Sequence, residues 1–246
     1  MTFKVTLAYD GTNFVGWQRQ ARGTSVQGLL EDALRTLEGR EVPVAGAGRT
    51  DSGVHALGQV ASFSLDRQID GPTLVRAMNA QLPFDVRVLS AEPVRPDFHA
   101  RFDAVGKTYR YRICNARVMS PFERHYAWHV HGVLDAVAMG EAARDIVGRH
   151  DFAAFQTIGG TRRTTERTVA SSFVRREESM VIYEIAGNGF LRHMVRAIVG
   201  TLVEIGRGRR PVDGLRAALA SCDRGRAGAT APAAGLFLVS VLYGDL

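Results

Sequence analysis

The spacing of apolar residues predicts strands and helices in turn along the whole chain. Alternation between apolar and polar residues predicts strands, because successive side chains of a strand point to opposite faces. These strands cover residues 3–10, 41–45, 59–65, 86–94, 106–114, 168–176, 180–186 and 236–243. Apolar residues three and four apart predict helices over residues 26–37, 72–80, 135–147 and 190–205, with a short helix after Pro211.

The order of these elements predicts an α+β fold in two halves. Hairpin-like strand pairs mixed with helices favour a largely antiparallel sheet that is covered on one face. A connection rich in proline and charge ends near residue 105, so the halves are residues 1–105 and 106–246. In the first half, Thr24 and Gln27 have the spacing of a capping box, and Gly39 is a candidate C-cap of the same helix.

Composition adds a prediction about the partner. The 246 residues are 46% hydrophobic and 23% charged, as in a globular protein, and the formal net charge is +6. Only Lys4 and Lys107 are lysines, so 29 of the 31 basic residues are arginine. Arginine is the better ligand for phosphates and base edges, which favours a polyanionic partner. A coding bias towards arginine explains the same count.

Cysteine use and the N-terminus predict a cytoplasmic protein. Cys114 and Cys222 lie far apart in sequence, which excludes a disulfide framework and a CxxC zinc site. The first ten residues lack the basic and apolar regions of a secretory signal. The longest uncharged stretch, 227–244, contains proline and glycine and has only a strand's length of dense apolar residues, so no membrane span is predicted.

The loop 46–53, GAGRTDSG, carries the first candidate chemistry. It begins like a dinucleotide fingerprint, but Asp51 stands where a third glycine is needed. Asp51 lies between Arg49 and Gly53, and a nearby guanidinium could keep it ionised and fixed, as a carboxylate nucleophile requires. The alternative is a turn in which the Asp51 side chain only caps its own backbone.

Two further elements have both a structural and a functional interpretation. Lys107, Tyr109 and Tyr111 share one face of a strand, which suits either base stacking or core packing. On the helix 190–205, Arg192 and Arg196 lie beside apolar residues on a second apolar face, which predicts partial burial. A partly buried arginine needs an anion, either a protein carboxylate or a substrate.

Histidine and arginine clusters complete the candidates. His125, His129 and His131 invite a metal site, and His129 and His131 share one face of a predicted strand. No carboxylate or third ligand follows this pair at a familiar spacing, so the histidines are predicted to be surface residues or RNA contacts. Three basic clusters together favour phosphate contacts. They are formed by Arg162, Arg163 and Arg167, by Arg175 and Arg176, and by Arg207, Arg209 and Arg210.

Nine sequence blocks follow one another along the chain in a recognisable order. In the first half these blocks are YDGTNFVGWQRQ, SVQGLLEDAL, AGRTDSGVHALGQV, NAQLPFDVRV and FHARFDA. In the second half they are KTYRYRI, DFAAF, NGFLRHMVRAIVG and APAAGLFLVSVLY. Together these blocks resemble the tRNA pseudouridine synthase A family. The resemblance implies a pseudouridine synthase fold, with two α/β halves about a pseudo-twofold axis, a long mixed sheet and a basic central cleft. The segments 115–123 and 159–166 have no clear match.

The resemblance also implies an activity. Asp51 corresponds to the family's nucleophile, Tyr109 to the aromatic residue that stacks on the target base, and Arg49 and Arg196 to the arginines around the nucleophile. The implied reaction isomerises uridine to pseudouridine at positions 38, 39 and 40 of the anticodon stem-loop of tRNA. The base must first be flipped out of its stack.

The remaining expectations concern partners and alternatives. The reaction implies no cofactor and no metal, and a homodimer is expected by resemblance alone. Whether Asp51 attacks C1′ or C6 stays open. A non-catalytic RNA-binding protein would use the same basic cleft and Tyr109, but such a relative would be expected to lack Asp51 or the arginines around it. A histidine-based metal hydrolase fails because too few ligands are present.

Overall fold

The computed structural model describes residues 1–157 and 164–244. These residues form ten strands, β1 to β10 in chain order: Thr2–Tyr9, Ala45–Gly46, His55–Ser64, Val86–Val94, Ala104–Cys114, Trp128–His129, Gly148–Asp151, Glu166–Glu177, Met180–Gly187 and Leu236–Tyr243. They also form five α-helices, α1 to α5: Val26–Glu38, Gly71–Gln81, Ala136–Arg144, Met194–Gly206 and Gly214–Ser221. None of the helices in this described part has the length and apolarity that a membrane crossing requires.

The first compact unit contains residues 1–105 and the chain from Phe237 onward. Its strands lie in the order β4-β1-β3-β10, and β2 pairs with β3. β1 pairs antiparallel with both neighbours, whereas β10 runs parallel to β3, with Phe237 opposite His55. The sequence-based division placed the closing strand in the C-terminal half, whereas the compact unit that contains residues 1–105 also includes the chain from Phe237 onward.

Helix α1 shows how local sequence sets an element of this unit. Ser25, rather than Thr24, is the N-cap, and its hydroxyl accepts the N–H of Gly28 at 3.2 Å. The capping-box prediction was therefore wrong, because the Gln27 side chain donates to the Val44 carbonyl instead of reaching back to the cap. Gly39 ends the helix with φ +73°, as predicted.

The second compact unit contains residues 106–236. Its strands lie in the order β5-β9-β8-β7, with antiparallel pairs throughout, and β6 runs parallel to β5. Helix α4 is apolar on nearly every side, and eleven of its thirteen residues are buried. It begins at Met194 rather than Phe190, because His193 adopts φ +61° and separates the preceding loop from the helix. The α+β class with mainly antiparallel strands is confirmed.

Candidate active site

Asp51 lies in a tight turn between β2 and β3 in the first unit. The backbone N–H of Val54 donates to the carbonyl oxygen of Asp51 at 3.1 Å, and Gly53 adopts φ +77°. Thr50 before it is buried, whereas Asp51 is half-buried. We call residues 50–54 the Asp51 turn. The turn holds its carboxylate on a backbone that is fixed from both sides.

The segment after β1 clamps this turn through backbone contacts. Trp17 N–H donates to the Thr50 carbonyl at 3.1 Å, and the Ser52 hydroxyl donates to the Phe14 carbonyl at 3.1 Å. Gly16 passes so close, with φ +107°, that a Cβ on it would lie 2.6 Å from the Thr50 carbonyl oxygen. Only glycine fits at this crossing, because both the backbone conformation and the space exclude a side chain.

A second close crossing fixes the C-terminal end of the turn. A Cβ on Gly11 would lie 2.0 Å from the Val54 carbonyl oxygen. The N–H of Gly11 donates to Nδ1 of His55 at 3.0 Å, and Asp10 Oδ1 lies 3.1 Å from the same nitrogen. The imidazole is buried and stacks on Phe237 at 4.6 Å between ring centroids. The start of β3 is therefore anchored from three directions.

Buried polar side chains support the other end of the loop. The hydroxyls of Tyr9 and Thr50 lie 2.8 Å apart, and Gln59 Nε2 donates to the Gly48 carbonyl at 2.9 Å and to the Tyr9 hydroxyl at 3.4 Å. Burial raises the pKa of Tyr9 to about 12, although the hydrogen bonds with Thr50 and Gln59 oppose the rise. The phenol is therefore neutral at physiological pH and serves as a fixed hydrogen-bonding group beneath the Asp51 turn.

Arg49 is exposed on the same loop. An exposed arginine on the loop of a candidate nucleophile is available to an anionic substrate.

Tyr109 lies on β5 in the second unit. Its side chain is 8% exposed, and its ring meets that of Phe190 edge to face, with centroids 5.0 Å apart. Phe190 lies in the loop before α4, and the sequence analysis did not single it out because its place in the predicted helix gave it no separate role. The packing fixes the plane of the Tyr109 ring, and this contact agrees with either interpretation of Tyr109.

Arg196 is half-buried on the first turn of α4, as predicted from its apolar neighbours. The same prediction was wrong for Arg192, which is exposed because it lies in the loop before the helix. Its Nε donates to the Ala231 carbonyl at 2.7 Å, and the Ala231 N–H donates back to the Arg196 carbonyl at 3.1 Å. Nearby, the Tyr111 hydroxyl donates to the Pro232 carbonyl at 2.7 Å. Burial raises the pKa of Tyr111, and the positive charge of Arg196 opposes this rise. The hydrogen bond to the Ala231 carbonyl therefore fixes the guanidinium of Arg196 in direction.

The arginine clusters are less available than the sequence suggested. Arg167 is 7% exposed and donates to backbone carbonyls, Arg175 pairs with Glu177, and Arg210 pairs with Glu204. Arg176 donates to the Leu134 carbonyl at 2.6 Å. These four arginines therefore contact their own unit, whereas Arg209 is exposed. Arg162 and Arg163 lie outside the described residues.

The histidines also contact their own chain. Nε2 of His129 lies 2.9 Å from the carbonyl oxygen of Ala116, and the ring centroids of His129 and His131 are 4.0 Å apart. Across the described part of the chain, no three His, Cys, Asp or Glu residues form a cluster suited to a metal ion.

Comparison with known proteins is consistent with this geometry. A family model described as tRNA pseudouridine synthase matches residues 6–103 and 142–244. The chain is similar to proteins named tRNA pseudouridine synthase A from Limosilactobacillus fermentum (47% identical, covering 98% of this chain and 95% of that one) and Acetivibrio thermocellus (46%, 98% and 98%). The one from Moorella thermoacetica is 48% identical over 98% of each chain. A chain of a Cbf5–Nop10–Gar1 crystal structure matches at 12% identity with a TM-score of 0.37, covering 82% of this chain and 45% of that one.

Proposed function

Because the chain belongs to the tRNA pseudouridine synthase family and is therefore an isomerase that converts uridine to pseudouridine in tRNA, we propose that it acts on positions 38, 39 and 40 of the anticodon stem-loop. The observation that carries the proposal is the Asp51 turn. A half-buried carboxylate stands on a backbone clamped at Gly11 and Gly16, in the segment that matches the family model.

In the proposed mechanism, Asp51 is the nucleophile. Its carboxylate attacks the flipped-out uridine at C1′ of the sugar or C6 of the base. The bond between N1 and C1′ breaks, the base turns, C5 bonds to C1′, and the bond to Asp51 breaks so that the carboxylate is released. The proton on C5 is then lost to solvent while N1 gains one, so atoms and charges balance. A rigid turn suits this step, because the nucleophile must stay aligned while the base moves.

The other three predicted residues bind the substrate in this proposal. Tyr109 stacks on the target base, and its contact with Phe190 orients the ring for that task. Arg196, which is held by the Ala231 carbonyl, and Arg49, which is exposed on the loop, provide positive charge for the anionic RNA. Base flipping in a stem-loop requires both kinds of contact.

We further propose a cytoplasmic homodimer. A tRNA is longer than one chain of this size is wide, so a second subunit could hold the elbow while the first handles the anticodon arm. Light scattering at micromolar concentration should give twice the chain mass of 26.8 kDa. A monomeric mass with full activity would refute the dimer.

A pseudouridine map of tRNA tests the proposed site of action. An unmodified tRNA transcript is incubated with the purified protein and mapped nucleotide by nucleotide, with the Asp51→Asn protein as control. New pseudouridine should appear at positions 38 to 40 with the wild type only. Modification elsewhere would show that the region is wrong. Tight binding without any modification would favour the non-catalytic RNA-binding alternative.

A further inference from the structure

One exposed aromatic residue near the Asp51 turn has no role in the mechanism above. Phe84, in the connection between α2 and β4, is 93% exposed, the highest exposure of the large hydrophobic side chains in the described part of the chain. The guanidinium carbon of Arg87 lies 4.7 Å from its ring centroid, within cation–π distance. An exposed ring with one face against an arginine leaves the opposite face for another planar group.

The Phe84–Arg87 pair is held rigidly. Nη1 of Arg87 lies within hydrogen-bond distance of three carbonyl oxygens, which its two hydrogens share: those of Leu82 (3.2 Å), Pro83 (2.7 Å) and Val86 (2.7 Å). The N–H of Val86 also donates to the Pro83 carbonyl at 3.0 Å, which closes the turn. Such fixing lowers the entropy that a bound partner would have to remove, so the pair is preorganised for stacking.

The pair lies at the same end of the first unit's sheet as the Asp51 turn. The N–H of Asp10 donates to the Asp85 carbonyl at 2.9 Å, directly beside Phe84. Asp10 also approaches His55, and its neighbour Gly11 packs against the Val54 carbonyl of the Asp51 turn. Nucleotides next to a uridine that reaches Asp51 would therefore lie within reach of this edge.

We propose that Phe84 and Arg87 form an accessory stacking site for an unpaired nucleotide of the tRNA, separate from the position of the target base. The inference rests on the proposed function, because that function supplies the RNA. Flipping a base out of its stack exposes the faces of its neighbours, and an aromatic ring beside the site would cover one of them. Asp85 is exposed on the same turn and offsets the charge of Arg87. Stacking therefore contributes more here than charge.

The central test distinguishes the effect of the aromatic ring of Phe84 from the effect of an apolar side chain of any shape. Phe84→Leu keeps an apolar side chain but removes the aromatic face, so the KM for unmodified tRNA should rise about fivefold or more. The kcat should stay within about twofold, because the ring does not touch the reacting atoms. Phe84→Trp keeps an aromatic face and should have the KM of the wild type. Unchanged KM in the Leu variant would overturn the proposal.

Two further variants sharpen the test. Leu89→Ala removes another exposed apolar side chain, from β4 itself, and should leave KM unchanged because leucine has no aromatic face on which a base could stack. Arg87→Gln should raise KM less than Phe84→Leu does, and should reduce the slope of log affinity against log salt by less than about one unit. An equal loss from Leu89→Ala would show a general effect of the strand and would contradict the specific site.

Filter binding to the same tRNA and light scattering decide between the remaining outcomes. If the wild type bound tRNA but formed no pseudouridine, the proposed function would fail. Weaker binding by Phe84→Leu would then still support the stacking site. If Phe84→Leu changed the mass of the protein instead of its affinity for tRNA, the patch would belong to a contact between two copies of the chain, and the stacking proposal would be wrong.

Discussion

The Asp51 turn and the region around Tyr109 and Arg196 are stabilised by different means. The Asp51 turn is fixed by backbone-to-backbone approaches at Gly11 and Gly16, with almost no room for a side chain. Tyr109 and Arg196 lie on regular elements, a strand and a buried helix. These two elements are held in place by the packing of their apolar side chains.

This difference decides which changes each region tolerates. A helix or strand that is held by side-chain packing can adjust when one group is trimmed, at a cost set by the lost contact and the remaining cavity. A turn held by touching backbones has no such freedom, because its neighbours cannot move away independently. We therefore expect activity to fall when a small group is added at the Asp51 turn. In the region around Tyr109 and Arg196, we expect activity to fall when a side chain is trimmed.

The largest effect is expected at the carboxylate itself. Asp51→Asn is nearly isosteric and keeps the capacity to cap a turn, so fold and tRNA binding should survive. An amide is too weak a nucleophile to form the proposed adduct, so turnover should fall by roughly a thousandfold or more. Tritium release from C5-labelled uridine in tRNA measures this, with filter binding on the same preparation. Retained turnover in the folded variant would show that Asp51 has only a structural role.

A substitution at Gly16 tests whether the close backbone crossing holds the Asp51 turn in place. Gly16→Ala places a methyl group 2.6 Å from the Thr50 carbonyl oxygen and also requires φ +107°. The turn must shift, so kcat should fall roughly 10- to 100-fold. The matched control is Gly39→Ala, which also has positive φ (+73°) but would meet nothing within 4 Å. It should cost about 1 kcal/mol of stability and leave kcat unchanged. Equal kinetics for both variants would contradict the clamp.

A deletion should have its effect in the second unit. Tyr109→Ala removes the ring that packs edge to face on Phe190, and the loss of base stacking should lower kcat/KM at least about tenfold. Tyr109→Phe keeps the ring and should retain most activity. Steady-state kinetics on the same tRNA measures both variants, and circular dichroism checks the fold. If both variants match the wild type, Tyr109 is only a packing residue.

The regular elements are also the ones that sequence patterns predict well. Strands 86–94 and 236–243 have the predicted bounds, because alternation of side chains is a local property. β3 begins at His55, four residues before the predicted start at Gln59. Its first residues pair in parallel with β10, almost two hundred residues away in the chain, and local periodicity carries no information on that pairing.

The candidate site follows the same division. Partial burial of Arg196 could be predicted from the apolar face around it, whereas the crossings at Gly11 and Gly16 depend on the path of two separate segments. No pattern of residue types predicts that Gly16 touches Thr50. The proposed role of Asp51 rests on resemblance to a family and not on spacing, because an aspartate two residues before a glycine also occurs in ordinary turns.

The smallest expected effect concerns the stability of the protein and is tested at Tyr9, whose phenol lies beneath the Asp51 turn. Below pH 10 Tyr9 is neutral in both the folded and unfolded protein. Tyr9→Phe should lower the free energy of unfolding by about 1–2 kcal/mol, because the hydroxyl of Thr50 and the amide of Gln59 lose a partner.

Unfolded tyrosine ionises near pH 10, whereas the folded pKa of Tyr9 is about 12. The unfolded state therefore loses a proton first as the pH rises from 10 to 12, and the wild type is destabilised over that range. The variant lacks this ionisation, so the difference in stability should shrink by up to about 1.4 kcal/mol per pH unit. Urea unfolding at pH 8, 10 and 11 measures it. Tyr111 and Tyr183 of the second unit titrate in both proteins and cancel in the difference. A difference independent of pH would show that Tyr9 does not stay neutral beneath the Asp51 turn.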